Sequence, residues 1–297
     1  MFCACIRYVG FDRIKRFPFQ LSDPYLMEGL ASPSAGVIGL GRTRISLQAQ
    51  LASTFRIRQK FALCLPSSPG NKGNMIVGQT AYENPFREIS NSLLTTPLIR
   101  NPVSTYGNDQ MGNLTVEYFI NVQSIKVGDK TLSLNKTLLS IDENSGSGGT
   151  SIWTVRAYTS LVGSVYRALV KEFVKAVAST KIKRVAFVAP FGACFDSKTI
   201  GRSKTGPQVP TIDFVLQSHN VYWRFYGSNS MVRVSNNVMC LAFVEGEINL
   251  LGPTTSIVVG GYQMENYLLE FDVDNSRLGF SPSLLLHDTS CSKFGAS

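Results

Sequence analysis

The residues with chemistry to offer converge on one short stretch, Gly146-Ser147-Gly148-Gly149-Thr150. A serine between glycines suggests a nucleophile on a tight turn. Gly146-Ser147-Gly148 is too short for a Gly-x-Ser-x-Gly elbow, and the only imidazole bases in the chain are His219 and His287. The stretch also lacks the Lys-Ser/Thr ending of a phosphate-binding loop. Hydrolysis by two carboxylates that share a proton needs two acids held together, and the position of Ser147 in this stretch offers a hydroxyl. No aspartate in the chain is followed by Ser-Gly or Thr-Gly. Asp142 and Glu143 lie a few residues upstream, and a glycine-rich turn does not carry them into that position. The plain structural alternative is a tight turn with no chemistry.

Metal and redox chemistry find little support. The six cysteines, Cys3, Cys5, Cys64, Cys194, Cys240 and Cys291, form no CxxC pair and no Cys/His cluster at zinc spacing. No metal and no cofactor is expected. Widely spaced cysteines in a β-rich chain suit long-range disulfides formed in an oxidising compartment. The sequons Asn113-Leu114-Thr115 and Asn135-Lys136-Thr137 point the same way and make Asn113 and Asn135 candidate glycosylation sites. Against this, Met1-Phe2-Cys3-Ala4-Cys5-Ile6-Arg7 makes a poor signal peptide, because its apolar stretch is short and Arg7 interrupts it.

The elements that must position these residues follow from composition and period. The chain has 297 residues, 44% of them hydrophobic and only 16% charged, enough for one large domain or two lobes. No run of about 18 apolar residues occurs, so no membrane helix is expected and no membrane partner. The net charge is +9, and residues 1–60 carry +6 of it, including the run Arg13-Ile14-Lys15-Arg16. Nucleic acid is not an expected partner, since no recognisable module presents these charges. A basic surface disfavours self-association, and an anionic matrix such as pectin would attract it.

Short runs of Val, Ile, Phe and Tyr with 25 glycines and 13 prolines predict a mainly β fold. Strands are expected at Gly36–Arg42, Lys60–Leu65, Asn74–Gly78, within Val116–Val127, and at Val221–Tyr226, Met231–Val234 and Val238–Val244. Three more close the chain at Thr255–Gly261, Leu268–Val273 and Arg277–Ser281. Ser46–Leu51 suggests a short helix with a serine cap. The clearest helix runs from Tyr158 to Ala178, with Leu161, Val165, Leu169 and Phe173 on its buried stripe. Arg167, Lys171, Glu172 and Lys175 then form its solvated face.

In that order the blocks resemble the second half of the pepsin-like acid protease fold. Ser147-Gly148-Gly149-Thr150 sits where such a protease carries Asp-Ser/Thr-Gly-Thr. The likeness is closer to one plant branch, the TAXI-type xylanase inhibitors, xyloglucanase inhibitors, extracellular dermal glycoproteins and basic globulins. It is carried by Gly39–Ser46, Lys60–Leu65, Val188–Phe195 and Gly227–Val232. The resemblance implies a carboxyl-terminal lobe with a remnant of the amino-terminal lobe. The expected segments are a divergent stretch at 1–34, the remnant and interlobe strand at 35–80, and an inhibitor-type lobe at 81–297. It also implies disulfides Cys64–Cys291 and Cys194–Cys240, an extracellular setting and a role in plant defence at the cell wall.

For function the resemblance implies a catalytically inactive scaffold, with Ser147 in place of the second catalytic aspartate and the first-lobe aspartate absent. The expected partner is a microbial glycoside hydrolase, xylanase foremost. In the inhibitors a histidine shortly before the final cysteine enters the xylanase cleft, and His287 stands four residues before Cys291. Asp288 occupies the place near which xyloglucanase-inhibiting relatives insert an arginine, and Lys204 corresponds to their other arginine without its bidentate fork. The alternatives are an aspartic endopeptidase by fold, a storage or ligand-binding globulin, and a truncated, non-functional paralogue.

Overall fold

The computed structural model describes residues 36–68, 70–78, 85–104, 114–247 and 254–293, together with Ala4–Cys5 and single residues at 18, 21 and 82. The basic run Arg13–Arg16, Cys3 and the sequon asparagine Asn113 lie outside the described residues. The chain divides into two compact units. One comprises Met1–Thr95, Glu265–Leu284 and Asp288–Ser297, the other Thr96–Met264 and Leu285–His287.

In the first unit the apolar strand Lys60–Cys64 pairs antiparallel with Gly73–Val77 on one side and Leu268–Asp272 on the other. Leu268–Asp272 in turn pairs with Arg277–Phe280. Register puts Phe61 opposite Phe271, and their rings stack with centroids 4.7 Å apart. Glu270 projects from the same sheet to meet Lys60 at 2.7 Å and to accept a 3.0 Å hydrogen bond from the Tyr82 hydroxyl. The Cys64–Cys291 disulfide lies in a core with Ala62, Phe86, Ile89, Leu268 and Leu284. Closing a loop of 227 residues in sequence, it removes much freedom from the unfolded chain.

Two local expectations are corrected here. Gly36–Arg42 is irregular rather than a strand, with Val37 and Ile38 exposed. Its three glycines weaken extended structure, and no partner strand reaches it among the described residues. The predicted helix after it is present at Leu47–Phe55, but Ser46 does not cap it. The Ser46 hydroxyl donates instead to the Thr43 carbonyl at 2.8 Å.

The second unit holds a five-stranded mixed sheet in which Ile257–Val259 lies between Thr150–Ile152, parallel, and Thr159–Leu161, antiparallel. Thr159–Leu161 takes the first residues of the stretch predicted as helix. The helix therefore begins at Gly163 and runs to Ala178, burying Val165, Leu169, Phe173 and Val177. Arg167, Lys171 and Lys175 remain exposed on its outer face. A second sheet pairs Ile212–Ser218 with Ser124–Val127 and Val221–Phe225. On it, Arg224 clamps the buried Asp213 with two 2.7 Å hydrogen bonds, a charge-assisted fork that satisfies the buried carboxylate. Phe214, Trp223, Phe225 and Phe243 pack beneath as an aromatic cluster. The second disulfide, Cys194–Cys240, joins directly opposed residues of two antiparallel strands.

Glu265 bridges to Leu65 in the first unit, and burial pushes its carboxyl up to about 8. The folded chain thus keeps a proton that the unfolded chain releases above the ordinary value of 4.5. Stability must therefore fall as pH rises between those two values, by at most about 1.4 kcal/mol per pH unit. Glu265→Gln removes that dependence. Relative to wild type the variant is expected to gain on the order of 2 kcal/mol between pH 5 and pH 7.5. Urea unfolding at the two pH values checks this, and an unchanged difference would contradict it.

Candidate functional site

The Gly146–Thr150 stretch is built from backbone that only glycine adopts with ease. Gly146, Gly148 and Gly149 have φ of 72°, 92° and 72°, in the left-handed half of conformational space. The turn is tied down from several sides. The Gly148 N–H donates to the Thr254 carbonyl at 2.9 Å, the Gly149 N–H to Leu138 at 3.1 Å, and the Gly149 carbonyl accepts from Ile257 at 3.1 Å. The buried Asn101 side chain donates to the Gly146 carbonyl at 2.6 Å. A Cβ at Gly148 would collide with the Ser140 carbonyl oxygen. The chain enters Thr150–Ile152 from this turn, so the turn fixes the start of an inner strand of the five-stranded sheet, flanked by Ile257–Val259 and Tyr118–Ile120.

Within the turn Ser147 is half-buried, and its N–H donates to the Ser145 hydroxyl at 3.3 Å. Among the described residues no imidazole or carboxylate hydrogen-bonds the Ser147 hydroxyl, so nothing there would activate it as a nucleophile. Asp142 spends its carboxylate locally. It accepts the N–H groups of Ser145 at 2.7 Å and Asn144 at 3.1 Å. The Ser145 contacts, foremost its backbone N–H, hold the exposed Asp142 carboxyl below the usual carboxylate range. His219 lies exposed at the turn between Ile212–Ser218 and Val221–Phe225, on another sheet. Among the described residues no group of three His, Cys, Asp or Glu side chains could hold a metal ion, and no helix is long and apolar enough to cross a membrane.

The other sequence-predicted residues lie elsewhere. His287 ends the short 3-10 turn Leu284–His287 and is exposed. Asp288, also exposed, follows with a left-handed φ of 54°, a conformation that aspartate tolerates better than most residues. The Thr289 N–H then donates to the Leu284 carbonyl at 3.2 Å, closing the loop that displays the two. Lys204 sits at the tip of a hairpin formed by Arg202–Ser203 and Gly206–Pro207. The Ser203 hydroxyl donates to the Gly206 carbonyl at 2.9 Å and tightens it. Asn135 is exposed, and its side-chain oxygen accepts from both the Thr137 N–H and the Thr137 hydroxyl, at 3.1 and 2.9 Å.

Of these residues, Lys204 lines a cleft of about 400 Å³ in the second unit, and so does Leu285, two residues before His287. Ser147 does not line it. Arg202 and Arg233 also face this cleft, and both were missed from sequence. Arg202 flanks Lys204 and could have been read with it. Arg233 lies on a different strand, Met231–Arg233, and carries no local signal.

The Gly148 turn yields a direct test. Gly148→Ala should cost about 3 kcal/mol or more, because strained backbone and a steric clash add. Gly128 has φ of 55°, but a Cβ there would meet nothing within 4 Å, so Gly128→Ala should cost only about 1 kcal/mol. Urea unfolding of both variants checks the difference, and equal losses would contradict the constraint.

Comparison with known proteins places this geometry in a family. Residues 117–282 match the family model described as "Xylanase inhibitor C-terminal", and residues 8–79 match "Xylanase inhibitor N-terminal". The chain is 50% identical over 282 residues to "Probable aspartic proteinase GIP2" of Nicotiana benthamiana, an alignment covering 94% of this chain and 63% of that protein. It is 43% identical over 271 residues to "Gamma conglutin 1" of Prunus dulcis, covering 91% of this chain and 57% of that protein. The crystal structure of EDGP superimposes with a TM-score of 0.85 at 45% identity, over 94% of this chain and 67% of that one. The chain thus spans roughly three fifths of the curated relatives it matches. With one family model alone accounting for residues 117–282, the chain belongs to the xylanase-inhibitor (TAXi) family of aspartic-proteinase-like proteins, and its mainly β architecture is the pepsin-like fold.

Proposed function

We propose that this chain is an extracellular, catalytically inactive binder of microbial cell-wall glycoside hydrolases, with xylanase the first target. The observation that carries the reading is His287, an exposed imidazole at the end of a short turn whose loop is closed by the Thr289–Leu284 hydrogen bond. A retaining glycosidase holds two carboxyl groups about 5–5.5 Å apart. An imidazolium donates from both ring nitrogens and suits the space between them. Each charge-assisted hydrogen bond contributes roughly 1.5–3 kcal/mol.

Catalytic inactivity is supported by Ser147. In the fold to which the chain belongs, the glycine turn is the place for an acid, and a hydroxyl cannot hold the shared charge of a carboxylate pair. The extracellular setting is supported by two disulfides linking residues distant in sequence, and Asn135 is accessible to glycosylation. Asp288 argues against xyloglucanase as the target, since a carboxylate near the place where inhibitors of that enzyme insert an arginine cannot supply the guanidinium's paired hydrogen bonds. A globulin role, storage or ligand-binding, is the second reading, favoured by the identity to a protein named gamma conglutin.

Titration of a retaining xylanase with the wild-type chain and with His287→Ala tests the reading. Stoichiometric inhibition is expected from wild type. The variant should bind about 100-fold more weakly or worse, with an unchanged melting temperature because the ring is exposed. Absence of inhibition by folded wild type would favour the globulin reading, and equal inhibition by both would remove His287 from the contact.

A further inference from the structure

The cleft beside the Lys204 hairpin has a composition that the hydrolase-binding reading does not use. Its volume of about 400 Å³ falls within the range of small-molecule sites. Arg202, Lys204 and Arg233 line it, and its lining contains no acidic residue. The same lining includes the apolar Ile200, Met239 and Leu285, the first two buried at 8% exposure each. The cleft therefore combines apolar side chains with a cationic rim.

The rim is partly organised. One terminal nitrogen of Arg233 donates to the Asn236 carbonyl at 2.9 Å and to the Ser197 hydroxyl at 3.3 Å. These bonds orient the guanidinium and leave its other nitrogens without a protein acceptor among the described residues. Arg202 is exposed and makes no side-chain hydrogen bond or ion pair among the described residues. The like charges of Arg202 and Arg233 on one cleft repel one another, and that repulsion is relieved by an anion. Guanidinium groups match the planar geometry of a carboxylate, with two parallel hydrogen bonds.

We propose that this cleft binds a carboxylate-bearing sugar, a uronic acid residue of an acidic saccharide. The carboxylate would meet Arg202 and Arg233. The ring's apolar C–H face would cover Met239 and Leu285, and its hydroxyls would reach the serine side chains of the wall. A bare inorganic anion uses the rim but leaves the apolar side chains exposed, and a neutral sugar covers those side chains but offers the two guanidinium groups no carboxylate. Only a ligand with both features fits both surfaces. The proposal does not depend on hydrolase binding, because it concerns the chain alone.

Calorimetric titration of the full chain with digalacturonate at low ionic strength tests it, with neutral digalactose and inorganic phosphate as parallel probes. One digalacturonate per chain is expected, with little or no binding of digalactose and phosphate. Arg202→Gln should weaken digalacturonate binding roughly ten-fold or more, and Arg202→Lys should weaken it less. Arg202 is exposed, so both variants should melt with wild type. Failure of wild type to bind digalacturonate would overturn the proposal, as would equal binding of digalactose. Phosphate binding as tightly as digalacturonate, lost in Arg202→Gln, would reduce the cleft to a general anion site and also overturn it. Because no hydrolase is present, none of these outcomes bears on His287.

Discussion

Much of the second unit depends on a single backbone constraint, the glycine turn that feeds Thr150–Ile152 into its place beside Ile257–Val259. Parallel neighbours cannot be joined by a tight hairpin, so their register has to be set by contacts outside the strands. Here the Gly148 and Gly149 amides and the Gly149 carbonyl do this by bonding Thr254, Leu138 and Ile257. The bonds are possible because the backbone passes so close to Ser140 that no side chain fits at Gly148. Once that register is set, Thr159–Leu161 completes the sheet and the helix Gly163–Ala178 packs its Val165, Leu169 and Phe173 stripe.

The same constraint separates scaffold from chemistry. A turn held by so many bonds keeps its shape whatever side chain stands at Ser147, which projects no backbone requirement of its own. On the proposed reading the turn serves as scaffold, and binding falls to loops that the scaffold displays. Two such loops matter here. The Leu284–His287 turn presents an imidazole, and the Arg202–Pro207 hairpin presents cations over a cleft. Both are short and closed by hydrogen bonds, of Thr289 to Leu284 and of Ser203 to Gly206. Little ordering entropy is therefore left for a partner to supply on binding.

The fold was legible where the sequence had a period and a partner. Lys60–Leu65 and Leu268–Val273 are short, mostly apolar runs that pair with each other, and both form strands at nearly the expected bounds. Gly36–Arg42 has strand-like residues but no neighbouring strand among the described residues, and local propensity alone did not make it extended. The helix start was misjudged because Thr159–Leu161 continues the helical stripe in sequence while the sheet claims those residues in space. The candidate site was less legible. Ser147 could be singled out from its glycines, and His287 from its distance to Cys291. The cleft could not, because Arg202, Arg233 and Leu285 meet through tertiary packing and share no motif.

The function proposed above requires that the protease-like scaffold, with a serine at position 147, bind rather than cleave. The most direct measurement is proteolysis of a denatured protein substrate by the purified chain between about pH 3 and pH 5, where carboxylate pairs share a proton. No peptide release above the buffer blank is expected, at any concentration of the folded chain. Release that scales with the amount of folded chain and persists through further purification would contradict the claim.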